Sequence, residues 1–209
     1  MAIYTDGDNY PRLTLDFFTQ QDVVKIAQQL IGKLLVSSAG GKFTSGIITE
    51  TEAYNGVVDK ASHAFGNRRT KRTETMYQRG GIAYIYLCYG IHSLLNVVTN
   101  NSGTPHAVLI RAIYPFHGLD TMSERVGHKI NQKDGIGPGK VTKLLGLTYD
   151  DDKSDLISGN KVWIEDAGIN ITTDKIKITP RIGVTYAKED ALLPYRFVAN
   201  LSAADLGKE

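Results

Sequence analysis

Glu50, Glu52 and Tyr54 alternate along a stretch that follows the apolar pair Ile47 and Ile48. On an extended strand such residues share a face, and the two carboxylates stand roughly 7 Å apart. Carboxylates leaving a buried strand are costly to desolvate unless they have a partner or a chemical task. The spacing suits two-carboxylate glycosidic chemistry, yet one strand seldom supplies both acid and base. One glutamate can therefore be catalytic while the other pairs with an arginine such as Arg111, which interrupts the apolar run from Ala107 to Ile113. Tyr84 and Tyr86 fall on one face of a further strand pattern, and Tyr89 on the turn that ends it. Most such tyrosines pack across strands, but a ring at a hairpin tip can wedge between stacked bases. Acid/base groups beside a stacking surface suggest an enzyme that handles a planar ring.

Other clusters are open to two readings. Arg68, Arg69, Lys71 and Arg72 crowd one short polar segment, which is either a solvated loop or a phosphate contact. The run from Gly135 to Lys140 falls short of a P-loop, because Asp134 stands where glycine is needed and Val141 where Ser or Thr is needed. It is either a helix start holding one backbone phosphate beside Lys140 or a capped helix in a surface turn. His63 sits between the glutamates and the basic segment as a structural residue or a site residue. His63, His92, His106, His117 and His128 show no metal-ligand spacing, so no metal site and no cofactor are expected.

The elements that must position these groups follow from periodicity. Thr19 suits a helix N-cap before Val23, Ile26, Ala27, Leu30 and Ile31, with Gly32 closing the helix. Strands are expected at 33–37, 43–54, 107–113, 161–165, 181–186 and 195–199. The patterns at 82–87 and 91–99 read as a β-hairpin with Gly90 in its turn. Helices are expected at 118–126 and from Pro138 to Gly146. Residues 55–75 read as one long loop, and loops of that length are usually functional or disordered. Short strands with a few helices, and no regular βα alternation, predict a single α+β domain over 1–209.

The totals set limits. At 42% hydrophobic and 22% charged, the chain has an ordinary globular composition. Its apolar runs are too short to span a bilayer as a helix, so no membrane partner is expected. Met1 to Asp6 lacks the basic start and apolar core of a signal peptide. A single cysteine, Cys88, rules out an intrachain disulfide and suits a reducing cytoplasm. A net charge of +2 is low for a nucleic-acid binder, so any such role must rest on local clustering.

Taken together, these residues resemble the alkyladenine (3-methyladenine) DNA glycosylase family. The resemblance runs from Leu15-Asp16-Phe17-Phe18 to about Ser202 and is carried by Glu50-Thr51-Glu52-Ala53-Tyr54, His63, the Tyr84 to Gly90 hairpin, Asn96 and Leu109-Ile110-Arg111-Ala112. It implies a largely antiparallel curved sheet with surrounding helices and a protruding hairpin. It also implies an enzyme that flips damaged purines out of double-stranded DNA, and the short N-terminus is expected to go with a compact bacterial, cytoplasmic, monomeric form. By the same resemblance Glu52 activates water and Arg111 helps position it. Tyr54, His63, Tyr86, Asn96 and Leu109 form the base pocket, with Asn96 opposing the 2-amino group of guanine. Tyr89 fills the gap left in the duplex, and Arg68, Arg69, Arg72, Met76 and Lys140 meet the DNA backbone. Two rivals share some of these features: a non-catalytic nucleic-acid-binding module, and a hydrolase of free nucleosides or small glycosides.

Overall fold

A computed structural model describes residues 10–201 of the chain. Met1 to Asp6, where a signal peptide would begin, and the residues from Ser202 onward lie outside the described residues. The fold is α+β. Its strands are β1 (Leu34–Ser37), β2 (Thr44–Tyr54), β3 (Ala83–Cys88), β4 (His92–Thr99), β5 (His106–His117), β6 (Val162–Glu165), β7 (Ile176–Thr179) and β8 (Arg196–Ala199). They form one sheet ordered β3-β4-β5-β2-β1-β6, with β8 pairing both β2 and β7. Every pairing between these strands is antiparallel.

Strand β2 organises the molecule. Along one edge it pairs with β5 throughout. Along the other, Thr44 to Ile47 pair with β1, and Glu50 to Glu52 pair with β8. The exchange of partners coincides with register shifts between Ile48 and Glu50 and between Glu50 and Thr51. At these two shifts the register skips Thr49 on β2 and Arg111 on β5. A bulge shifts the two-residue alternation by one. Ile48 and Ala53 therefore both reach the main core despite opposite parity, as do Ile110 and Ile113 on β5. Glu50 and Glu52 are thereby turned away from that core.

One face of the sheet packs on helices α2 (Val23–Gln29), α3 (Leu119–Val126) and α4 (Pro138–Leu145). Val23, Ile26, Ala27, Met122, Val141, Leu144 and Leu145 meet Ala83, Ile85, Leu95, Val97, Val108 and Ile110 there. Burial of this apolar surface is the main driving force for the fold. The opposite face of β3, β4, β5 and β2 carries the tyrosines, Asn96 and the glutamates. It is covered by the chain between Asn55 and Tyr77 and by residues 182–186.

Several local expectations needed correction. The N-cap of α2 is Asp22, whose Oδ1 accepts the N–H groups of Val24 and Lys25. Thr19 instead closes a short helix, α1 (Leu15–Phe18), that the periodicity did not reveal. No strand forms at 181–186, where Gly183 takes φ +75° and 3-10 turns follow over Thr185–Leu192. The apolar alternation there comes from side chains covering the site rather than from a ladder. Strand β7 was missed because it is short and half exposed. The long loop contains 3-10 turns at Gly56–Val58, Phe65–Asn67 and Glu74–Tyr77.

Candidate active site

A cavity of about 280 Å³ opens on the covered face of the sheet. Its floor is built by alternation along adjacent strands: Tyr84, Tyr86 and Cys88 from β3, Leu94 and Asn96 from β4, Ala107, Leu109 and Arg111 from β5, and Tyr54 from β2. Ala61, His63 and Met76 wall one side. Ile182, Gly183, Val184 and Tyr186 wall another, and Pro138 and Tyr89 stand at the rim. The residues expected to hold a planar ring are thus brought together.

Glu52 lies behind this wall and is 0% exposed. Its Oε1 accepts the Ile182 N–H at 2.7 Å. Its Oε2 accepts the Tyr54 hydroxyl at 2.8 Å and faces Arg111 Nη1 at 3.4 Å. Burial raises the Glu52 pKa, and Arg111, the Ile182 N–H and the Tyr54 hydroxyl pull against that rise. Desolvation wins, so the carboxylate is more basic than an exposed glutamate. Burial, then the charge and hydrogen bond of Glu52, hold the Tyr54 hydroxyl protonated well above its usual range. Tyr54 therefore donates and does not compete as a base.

Glu50 takes the other role considered for it. Its Oε1 accepts Arg111 Nε at 2.9 Å and Arg196 Nε at 2.6 Å. Arg111 is thus held between the two glutamates, with its backbone at the bulge of β5. The Arg111 carbonyl accepts the Gly137 N–H at 2.9 Å, beside an antiparallel bridge between Ala112 and Ile136. The glycine-rich segment is therefore a splint. Gly137 takes φ +114°, and a Cβ on Gly135 would lie 1.9 Å from the Ile113 carbonyl oxygen. Pro138 opens α4.

A second buried pair fixes the opposite wall. Arg181 donates from Nη1 and Nη2 to the two oxygens of Asp59, and from Nη1 to the Ala53 carbonyl. Its guanidinium lies 4.9 Å from the Tyr54 ring centroid. It anchors the segment that carries Ile182, and so the N–H that reaches Glu52. Neither Arg181 nor Asp59 was singled out in the sequence, and neither was Tyr186 or the 182–184 wall. The two cation–carboxylate partners lie far apart in the chain, and no local pattern joins them.

His63 Nδ1 lies 2.9 Å from the Tyr84 hydroxyl, and Nε2 lies 3.3 Å from Arg72 Nη2. A guanidinium can only donate, so Nε2 accepts and Nδ1 carries the proton. Burial first, then the charges of Arg72 and Arg68, lower the His63 pKa to about 4. The ring is neutral at physiological pH. Asn96 is buried and donates to the carbonyls of Tyr84 and Leu94.

The positions proposed for the backbone of a nucleic acid divide. Arg68 and Arg72 line a groove that shares His63 and Tyr186 with the cavity, so they flank its mouth. Arg69 is committed to Glu74 through two hydrogen bonds of 2.9 and 2.6 Å and lies over Tyr77. Met76 is only 2% exposed, so it is a wall residue and not a surface contact. Its place in the sequence beside a polar loop hid its packing against Tyr84 and Val98. Lys140 is exposed on the first turn of α4. Tyr89 is 92% exposed at the hairpin tip, with φ +51°. Among the described residues, no group of three His, Cys, Asp or Glu side chains is placed to share a metal ion. None of the helices in the described residues is long and apolar enough to cross a membrane.

Residues 16–203 match the family model described as methylpurine-DNA glycosylase. The chain belongs to the methylpurine-DNA glycosylase family. A relative from Chlamydia felis (strain Fe/C-56) is 49% identical over 187 residues, covering 88% of this chain and 94% of its own. One from Chlamydia pneumoniae is 44% identical over 198 residues, covering 92% and 96%. One from Clostridium perfringens (strain 13 / Type A) is 36% identical over 194 residues, covering 89% and 94%. Each carries the name "Putative 3-methyladenine DNA glycosylase". Family membership makes DNA the substrate to which the cavity, the exposed hairpin tip and the flanking arginines must be related.

Proposed function

We propose that the chain is a monofunctional DNA glycosylase that removes alkylated or deaminated purines and leaves an abasic site. The observation that carries this reading is the buried, basic Glu52 carboxylate, held by Arg111, Tyr54 and the Ile182 N–H behind an aromatic cavity. A base stacked in a duplex cannot be attacked at C1′, so it must be flipped out, at a cost of a few kcal/mol. Damage that weakens pairing lowers that cost. Tyr89 enters the duplex at the vacated position, and the base is received among Tyr54, His63 and Tyr86. Asn96, fixed through its amide nitrogen, opposes the 2-amino group of normal guanine.

Chemistry then needs little more than a positioned water. Oε1 of Glu52 accepts one N–H and keeps a lone pair for a water proton. The C1′–N9 bond breaks with its electron pair leaving on the base. The water oxygen bonds to C1′, and its proton passes to Glu52. Positive charge builds on the sugar as the base departs, so the carboxylate also stabilises the transition state electrostatically. No lysine is among the described residues lining the cavity. That supports hydrolysis without a Schiff base, and hence no strand cleavage. Hypoxanthine, ethenoadenine, 3-methyladenine and 7-methylguanine are the substrate class, with the enzyme acting as a monomer in a bacterial cytoplasm.

The test is product analysis on a duplex oligonucleotide carrying one hypoxanthine. The expected product is free base plus an alkali-labile site, with the strand intact before alkali. Cleavage without alkali would overturn the monofunctional reading. Equal activity on the free nucleoside would replace it with a nucleoside hydrolase.

A further inference from the structure

We propose that Arg72 is a specificity-determining residue that ranks neutral damaged purines above cationic, N-alkylated ones; the inference rests on the base-excision reading above. Its guanidinium carbon lies 4.8 Å from the Tyr86 ring centroid, and Nη2 reaches His63 Nε2. Both rings line the cavity, with centroids 4.7 Å apart and planes at 79°. Arg72 thus places a full positive charge against the outer side of the base pocket.

The surrounding charges leave that one uncompensated. Arg111 faces Glu50 and Glu52, Arg196 faces Glu50, Arg181 faces Asp59, and Arg69 faces Glu74. Arg72 forms no ion pair among the described residues. It hydrogen-bonds the neutral imidazole of His63, whose Nδ1–H donates in turn to the Tyr84 hydroxyl, so neither partner is an anion. Arg68, on the same groove, adds charge of the same sign.

Whether this field affects substrate choice depends on the step compared. From free enzyme to transition state, a 7-methylguanine brings its positive charge into the field and loses only part of it. A hypoxanthine enters neutral and acquires negative charge as the C1′–N9 electrons leave with it. Arg72 therefore opposes the first and favours the second in second-order rates. From bound substrate to transition state, the charge change has the same sign and similar size for both bases. Arg72 then speeds both alike.

The experiment measures base release from duplexes holding one hypoxanthine or one 7-methylguanine, at subsaturating and at saturating enzyme. Wild type is compared with R72Q, R72K and K140Q. R72Q is expected to raise the second-order 7-methylguanine-to-hypoxanthine ratio by about tenfold, the scale of one nearby charge at the dielectric of a protein surface. At saturation R72Q should slow both bases and leave their ratio in place. R72K should keep the wild-type ratio, and K140Q should weaken both substrates equally. An unchanged second-order ratio in R72Q, or an equal shift in K140Q, overturns the role of Arg72. Release of neither base by the wild type overturns the base-excision reading itself.

Discussion

Glu52 is placed where its charge is least welcome, and that sets its behaviour. A carboxylate whose folded-state pKa is raised contributes stability that is full below its unfolded value and is lost as pH rises through the folded value. At neutral pH the ionised group therefore costs stability that the fold supplies elsewhere. Glu52→Gln is expected to stabilise the protein by about 1 kcal/mol at pH 7. The gain should shrink as pH falls toward 4.5, the ordinary value for a glutamate. Thermal melts at the two pH values measure it, and a clear loss of stability at pH 7 would refute desolvation as the dominant influence. His63 carries the opposite sign. Its pKa is about 4 folded and 6.5 unfolded, so the unfolded chain binds the proton first. Stability from this residue is full above pH 6.5 and falls away as pH drops toward 4. NMR should find the His63 ring titrating near 4 with the proton on Nδ1 in the neutral form. A midpoint near 6.5 would contradict its burial beside Arg72.

The elements position these residues through two bulges and two splints. The Asp59–Arg181 pair is buried on both sides, and removing one partner strands the other charge. Asp59→Ala should cost about 3–5 kcal/mol, measured by denaturant unfolding. A loss below about 1 kcal/mol would mean the pair behaves as an exposed one and does not anchor the 182–186 wall. Much of this level was legible in advance. The hairpin with Tyr89 at its tip, the glutamate strand and the interrupting Arg111 all rest on local patterns of alternation and turn chemistry. The glycine-rich segment was legible as a failed P-loop, but its purpose was not. Gly137 bonds Arg111 along the edge of β5, a contact that spacing within the segment cannot reveal. The false strand at 181–186 failed for another reason. Apolar side chains facing a cavity mimic those facing a core.

At the scale of the whole molecule, the small net charge hides a local concentration. Arg68, Arg72 and Lys140 stand near a mouth rimmed by Tyr89, Tyr186 and Pro138. Contacts to phosphate release counterions, so affinity should fall linearly with salt on logarithmic axes. Replacing Arg68 and Lys140 together by Gln should weaken binding to damaged and undamaged duplex alike and flatten that slope by about 2. An unchanged slope would place the DNA on another surface. The cavity and the Arg68–Arg72 groove lie on one face of the sheet, and the helices pack the other, with the start of α4 reaching the rim at Pro138. In the proposed function this division lets the packed core hold a site that admits an extruded nucleotide.

In the proposed function Glu52 activates the attacking water. The most direct measurement is single-turnover excision of hypoxanthine from a duplex by wild type and Glu52→Gln, with binding to the same duplex measured in parallel. Loss of a general base predicts excision slowed by at least about a hundredfold, with affinity for the damaged duplex retained. Excision at the wild-type rate by Glu52→Gln, or loss of binding in step with loss of activity, would contradict it.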